Sequence, residues 1–148
     1  MNPKKFQTIR EALAYCIDQE HLSYEQYSRN AKRTLNLHQK SIWEQLANDE
    51  LRHKALLSSL LENHQFLSMS YSPDATPGNL EFLQIEKPVN PVKEIFMKAI
   101  NAEIEAYYGY RDIAQQSSET EMKNLFHLLS QEELVHKQAL EEELATLG

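Results

Sequence analysis

Apolar residues recur every three or four positions along four long stretches of the chain, and polar residues fill the positions between them. This spacing is typical of amphipathic α-helices, which bury one face and expose the other. It predicts four helices, at roughly 8–34, 37–64, 91–116 and 119–146. Capping sequences support three of the four starts, and these are Thr8-x-x-Glu11, Asn90-Pro91 and Ser118-x-x-Glu121.

The connections between the predicted helices differ in length. Two are short, around Asn36 and around Ser117, so each is expected to join antiparallel neighbours. The third, roughly residues 65–90, contains Pro73, Pro77, Gly78 and Pro88, which disfavour a helix there. An extended segment of this length can run along a whole helix pair and return the third helix parallel to the second.

These features together predict an all-α fold. We expect a four-helix bundle built from two helical hairpins, at roughly 8–64 and 91–146, joined by the long crossover. The 148 residues fit one domain with a real core, so the expected domain is 1–148.

The second hairpin repeats the pattern of the first at an offset of 83 residues. Identical residues recur at this offset in both helices of each hairpin. The pairs include Ile17 and Ile100, Tyr24 and Tyr107, Tyr27 and Tyr110, Leu46 and Leu129, and Leu57 and Leu140. Two copies of one hairpin, related by a pseudo-twofold axis, are the simplest account.

Six polar residues interrupt the apolar seams at the same offset, and they carry the candidate chemistry. They are Glu20, Glu50 and His53 in the first hairpin and Glu103, Glu133 and His136 in the second. Each Glu-x-x-His spacing places both side chains on one face of a helix. Because burying unpaired carboxylates is costly, and two divalent cations would remove that cost, the pattern predicts a dinuclear metal centre.

The numbering also predicts that the six ligands lie at one level of the bundle. Residues equidistant from the turn of an antiparallel hairpin lie at the same height. The midpoint between Glu20 and the first Glu-x-x-His motif falls in the turn near Asn36. The midpoint between Glu103 and the second motif falls in the turn near Ser118.

Composition narrows the functional classes. The net charge of −7 argues against a nucleic-acid partner. No apolar stretch reaches bilayer-spanning length and the first residues do not resemble a signal peptide, so we expect a cytoplasmic protein with no membrane partner.

The single cysteine, Cys16, excludes a rubredoxin-type iron site among these residues. It is expected to be a small buried hydrophobe, with a redox-active thiol as the alternative. In helix 3, Val92 is expected on the buried seam, and Gly109 is expected to permit close helix approach.

The chain resembles the ferritin-like superfamily, and most closely the di-iron domain of rubrerythrins and their short relatives. The marks of that resemblance are Glu20 with Tyr27, Glu50-x-x-His53, Glu103 with Tyr110, and Glu133-x-x-His136. It implies that Glu50 and Glu133 bridge two irons, that Glu20 and Glu103 are terminal ligands, and that each His binds one iron. It also implies that Tyr27 and Tyr110 hydrogen-bond to ligand carboxylates; the alternative is that they are ordinary core aromatics.

Three positions depart from the family pattern. No rubredoxin domain occurs in the 148 residues. Ala106 stands where rubrerythrins carry an extra glutamate that takes part in a redox-linked ligand switch. Leu51 stands where bacterioferritins, which share the six ligands, carry a haem-binding methionine, so haem is not expected.

The leading hypothesis from the sequence is an oxidoreductase with two iron ions that reduces hydrogen peroxide or dioxygen. Manganese or zinc are alternatives to iron, because carboxylate and imidazole ligands suit all three metals. The electrons would come from a separate donor protein, and a homodimer is the expected assembly. One alternative function is iron oxidation and storage in a ferritin-like cage, and another is a non-catalytic, metal-stabilised bundle that binds a partner or senses iron.

Overall fold

The computed structural model describes residues 8–63 and 80–147. Its regular elements are four α-helices: α1 (Ile9–Arg33), α2 (Leu37–Asn63), α3 (Pro91–Gln116) and α4 (Thr120–Ala145). The predicted all-α class is confirmed, and the predicted helix ends agree with the observed ones to within one residue. The four helices are consistent with the predicted four-helix bundle.

The helices pack in two pairs. α1 packs against α2 and forms one compact unit, while α3 packs against α4 in the other unit, which also contains residues 80–90. Only a few residues join the members of each pair, so each pair is an antiparallel helical hairpin. The two hairpins expected from the sequence are therefore present.

Side chains cap three helix starts, of which the sequence predicted two. The Thr8 hydroxyl accepts a hydrogen bond from the Glu11 backbone N–H at 3.2 Å. The Asn90 side chain accepts from the N–H groups of Val92 and Lys93 at the start of α3. A cap that sequence reasoning missed is Asn36, whose Oδ1 accepts from a backbone N–H in the first turn of α2.

The predicted capping box at Ser118 lies one residue before the N-cap of α4. α4 begins at Thr120, so the N-cap position falls on Glu119, whose side chain makes no capping hydrogen bond. The helix begins one residue later than a cap at Ser118 requires.

The two hairpins turn at equivalent positions. The cap residue after α1 is Thr34, whose N–H donates to Asn30 O at 3.1 Å; after α3 it is Ser117, whose N–H donates to Ile113 O at 3.0 Å. α2 then begins at Leu37 and α4 at Thr120. Each of these positions recurs 83 residues later, so the duplication extends to the helix boundaries on either side of the turn.

Helix 3 departs from two detailed expectations. Val92 is 42% exposed, so the buried face of α3 begins at Phe96, which is 1% exposed. A Cβ added at Gly109 would meet no heavy atom within 4 Å among the described residues. The expectation that Gly109 permits close helix approach is therefore wrong.

Residues 80–90 follow the side of α3. The Tyr108 hydroxyl accepts from the Leu80 N–H at 2.6 Å and donates to the Leu80 carbonyl at 2.7 Å. The Asn101 side chain does the same for Leu83, accepting from its N–H at 2.7 Å and donating to its carbonyl at 3.1 Å. The backbone groups of Leu80 and Leu83 are thus paired with side chains spaced seven residues apart on one helix face.

Glu94 lies seven residues before Asn101 on the same face of α3, and it forms a salt bridge with Lys87. The Lys87–Pro88 peptide bond is cis. Of the expected crossover, residues 80–90 are therefore seen along α3, while Pro73, Pro77 and Gly78 lie outside the described residues. Among the described residues, no helix combines the length and apolar character needed to cross a bilayer.

Candidate metal centre

The first hairpin brings three predicted ligands together. His53 Nδ1 lies 3.1 Å from Glu20 Oε2 and 3.8 Å from Glu50 Oε1. Glu20 comes from α1, and the other two lie three residues apart on α2, on one helical face. All three are buried, with exposed fractions of 2% for Glu20, 1% for Glu50 and 0% for His53. We call these residues the first cluster.

The second hairpin repeats this arrangement with the three other predicted ligands. His136 Nδ1 lies 3.2 Å from Glu133 Oε1 and 3.5 Å from Glu103 Oε2. Glu103 comes from α3 and the other two from α4. The exposed fractions are 1% for Glu103, 0% for Glu133 and 6% for His136. These residues form the second cluster, so all six predicted ligands occur in one of two buried groups.

The spacing of the donor atoms fits a metal ion. Within each cluster, every residue offers one ligand atom, and these atoms lie within 4.8 Å of one another. Two donors that each bind one ion at about 2.1 Å are about 3.0 Å apart at an octahedral angle and about 3.4 Å apart at a tetrahedral one. The Nδ1-to-carboxylate distances of 3.1–3.8 Å are close to these values.

The charge of each cluster also suits a divalent cation. Two carboxylates and a neutral imidazole carry two negative charges, which one divalent ion balances. Burying two carboxylates side by side without such compensation costs several kcal/mol. In both clusters Nδ1 is the imidazole nitrogen that faces the carboxylates, and it is therefore the nitrogen placed to bind the ion. Both clusters can hold a metal, and the donor set suits iron, manganese or zinc.

The two clusters differ in one detail. His53 lies closest to the glutamate of the neighbouring helix, Glu20, and farther from Glu50 on its own helix. In the second cluster the order is reversed, because His136 lies closest to Glu133, on its own helix. The duplicated ligands therefore have inequivalent surroundings.

Apolar residues flank both Glu-x-x-His motifs one turn away. Leu46 and Leu57 lie before and after the first motif and are 4% and 0% exposed. Leu129 and Leu140 occupy the equivalent positions around the second motif, and both are 0% exposed. Each Glu-x-x-His motif is thus flanked along its helix by buried leucine side chains, and in such apolar surroundings an uncompensated carboxylate is costly.

Tyr27 and Tyr110 are buried and each packs on an aromatic ring. Tyr27 is 1% exposed and its ring centroid lies 5.4 Å from that of Trp43. Tyr110 is 2% exposed and stacks on Phe126 at 6.2 Å. Trp43 and Phe126 are themselves 83 residues apart, a relation that the list of identical pairs missed because the two residues differ. A search for aromatic rather than identical pairs would have found it.

Other residues singled out from the sequence lie outside the clusters. Cys16 is half-buried rather than fully buried. Ala106 is also half-buried, and Leu51 is 43% exposed. His21 bonds to Lys54 at 3.0 Å and lies 3.3 Å from Glu25, so it belongs to a separate group of polar side chains.

No protein-family model, curated protein or solved structure matches this chain. The functional argument therefore rests on the arrangement of the chain's own residues.

Proposed function

We propose that the chain is a di-iron oxidoreductase that reduces hydrogen peroxide or dioxygen with electrons from a separate donor protein. The observation that carries the proposal is the pair of buried Glu-Glu-His clusters, one per hairpin, with matching residue types at an offset of 83 residues. The resemblance of the same residues to the rubrerythrin di-iron domain supports iron over manganese and zinc.

The number of clusters matches the electron count of the reaction. Reducing one hydrogen peroxide to two waters takes two electrons and two protons, and two Fe(II) ions give two electrons when each becomes Fe(III). The protein would hold the ions through Glu20, Glu50 and His53 in one hairpin and through Glu103, Glu133 and His136 in the other. By the resemblance, Glu50 and Glu133 would bridge the two ions.

The buried surroundings would make the reaction selective. Leu46, Leu57, Leu129 and Leu140 limit the access of water to the ligands, while a small oxidant needs far less space than a large substrate. Every cluster residue is at most 6% exposed, so a bulky organic substrate could not reach the donor atoms without a structural change. This favours peroxide or dioxygen as the reacting molecule.

The first test is an Fe(II) titration of chelator-treated protein, with iron counted after desalting and after exposure to peroxide. Saturation at two irons per chain, with two Fe(II) oxidised per peroxide consumed, is the expected result. Continued uptake far beyond two would instead support iron storage. No retained iron under anaerobic conditions would overturn the proposal.

Matched variants identify the residues responsible. Glu50→Gln and Glu133→Gln should each lower the amount of iron retained, whereas Glu44→Gln, on an exposed position of α2, should leave it unchanged. If Glu50 and Glu133 bridge the irons, the oxidised protein should show spin coupling between two Fe(III) ions. An electron paramagnetic resonance spectrum of two isolated high-spin Fe(III) ions would contradict the bridging role while leaving iron binding intact.

A further inference from the structure

Each hairpin contains a groove between its two helices, and the two grooves occupy equivalent positions. The groove in the second hairpin has a volume of about 390 Å³ and is lined by residues that include Tyr107, Arg111, Ala114, Lys123 and His127. The groove in the first hairpin has a volume of about 250 Å³. Its lining at the equivalent positions is Tyr24, Ser28, Ala31, Lys40 and Glu44. The duplication has therefore preserved a groove that lies apart from the metal ligands in sequence.

The two grooves differ in charge. Where the first has Ser28 and Glu44, the second has Arg111 and His127, and both changes make the second groove more positive, whereas Gln115 in place of Lys32 removes one positive charge. No carboxylate lines the second groove, although the chain as a whole carries a net charge of −7. Lys123 corresponds to Lys40 in the first groove. Counting lysine, arginine and glutamate side chains, the second groove carries two positive charges and the first a net charge of one.

The cationic side chains of the second groove are not neutralised by nearby acids. Among the described residues, Arg111, Lys123 and His127 form no ion pair with a carboxylate. The Lys123 ammonium group donates to the Gln115 backbone carbonyl at 3.5 Å. The positive charge therefore remains available to an anion in the groove.

Arg111 is held in place by two aromatic rings. Its guanidinium carbon lies 5.0 Å from the Tyr108 ring centroid and 5.9 Å from that of Tyr107. The Tyr108 ring is in turn fixed by the two hydrogen bonds of its hydroxyl to Leu80. The Nε atom of Arg111 is buried and has no hydrogen-bond partner among the described residues. A positioned guanidinium of this kind loses less conformational freedom on binding an anion than a mobile surface arginine does.

We propose that the second groove is a binding site for a small molecule with an anionic phosphate or carboxylate group and an apolar body. Arg111, Lys123 and His127 would bind the anionic group, and the Tyr107 ring and Ala114 would contact the apolar part. The groove volume lies within the range of small-molecule sites, roughly 300–1,000 Å³, and is larger than an inorganic ion requires. This inference is independent of the proposed function, since none of these residues is a predicted metal ligand.

The test uses the full-length protein as purified and isothermal titration calorimetry with three probes: phenyl phosphate, benzoate and phenol. The anionic probes should bind more tightly than neutral phenol, and the stronger of the two identifies the preferred group. Arg111→Gln should weaken anion binding about tenfold or more, and Arg111→Lys should restore part of it. Lys123→Gln, at an exposed position, is a second variant that should weaken binding without affecting folding.

The first groove supplies the matched control. Lys40→Gln, at the position equivalent to Lys123, should leave binding unchanged. His127→Glu gives the second groove the charge of the first and should weaken the anionic probes more than phenol. Absence of anion binding at millimolar concentrations, equal affinity for phenol, or an equal loss from Lys40→Gln would each overturn the proposal.

Discussion

Tyr27 packs on Trp43 with their ring centroids 5.4 Å apart and their planes at 33°, and this contact joins α1 to α2. The equivalent contact in the other hairpin joins Tyr110 to Phe126 at 6.2 Å and 28°. In each hairpin, a tyrosine of the first helix thus packs on an aromatic ring of the second helix, which is tryptophan in one hairpin and phenylalanine in the other.

Replacing Trp43 tests how much this contact stabilises the first hairpin. Trp43→Phe copies the residue found at the equivalent position and should lower the free energy of unfolding only modestly. Trp43→Ala leaves a cavity at a site that is 2% exposed and should cost about 3–5 kcal/mol. Urea unfolding followed by circular dichroism measures both. Equal losses from the two variants would show that the ring contact itself contributes little.

The hydroxyl groups of Tyr27 and Tyr110 can be tested separately from their rings. Tyr27→Phe and Tyr110→Phe retain the ring contacts and remove one oxygen each. If the hydroxyls support the metal ligands, metal affinity should fall about 10- to 100-fold, as for other groups that orient ligands. Competition with a chelator of known affinity measures the change. An unchanged affinity would leave both tyrosines as core aromatics only.

Metal should reverse the effect of removing a buried carboxylate. Glu50→Gln and Glu103→Gln each remove the glutamate that lies farther from the histidine of its cluster, so the closer His–Glu contact remains. Without metal, the loss of a buried charge should raise the melting temperature. With metal, the loss of a ligand should lower it. Thermal unfolding of each variant with and without Fe(II) or Zn(II) gives the sign, and an increase in both conditions would argue against a metal ligand.

Gly109→Ala should stabilise the protein. The added methyl meets open space, and alanine favours an α-helix over glycine by about 1 kcal/mol. In a chain of this size the melting temperature should rise by about 2–4 °C. Ala102→Gly, at an exposed position of α3, is the matched reverse change and should lower it by a similar amount. A destabilising Gly109→Ala would indicate a close contact at this position in the folded protein.

Tyr108→Phe should loosen residues 80–90 without unfolding α3. The substitution removes both hydrogen bonds to Leu80, at a cost of about 1 kcal/mol. Hydrogen exchange should become faster at the Leu80 amide while the amides of α3 remain protected. Tyr24→Phe, at the position equivalent to Tyr107 in the first hairpin, is a control that should not change exchange at Leu80.

The sequence predicted the helices and the two clusters because both depend on short-range periodicity. A Glu-x-x-His spacing and the distance from each ligand to the turn determine which side chains meet within a hairpin. The same arithmetic could not predict the contacts of Tyr108 and Asn101 with Leu80 and Leu83. Those contacts join a helix to an extended segment, and no periodic pattern determines where that segment lies.

The two errors in helix 3 have a related origin. Val92 fits the apolar spacing but lies in the first turn, where the helix is not yet covered. A glycine within a helix can lie against a close neighbour or face open space, and the sequence does not distinguish the two. The positions of the neighbouring atoms show open space at Gly109. At the start of α4, the Ser118 motif predicted an N-cap one residue before Glu119, where the structure has it.

The two hairpins share the distance between the first glutamate ligand and the end of its helix. Glu20 lies fourteen residues before Thr34, and Glu103 lies fourteen before Ser117. Among the thirteen residues between each ligand and its cap, only three are identical in the two copies: Tyr24 and Tyr107, Tyr27 and Tyr110, and Ala31 and Ala114. Inserting one residue would rotate the glutamate by roughly 100° about the helix axis and turn it away from its histidine. The two copies therefore differ at ten of these thirteen positions but keep the same number of residues between the ligand and the helix end.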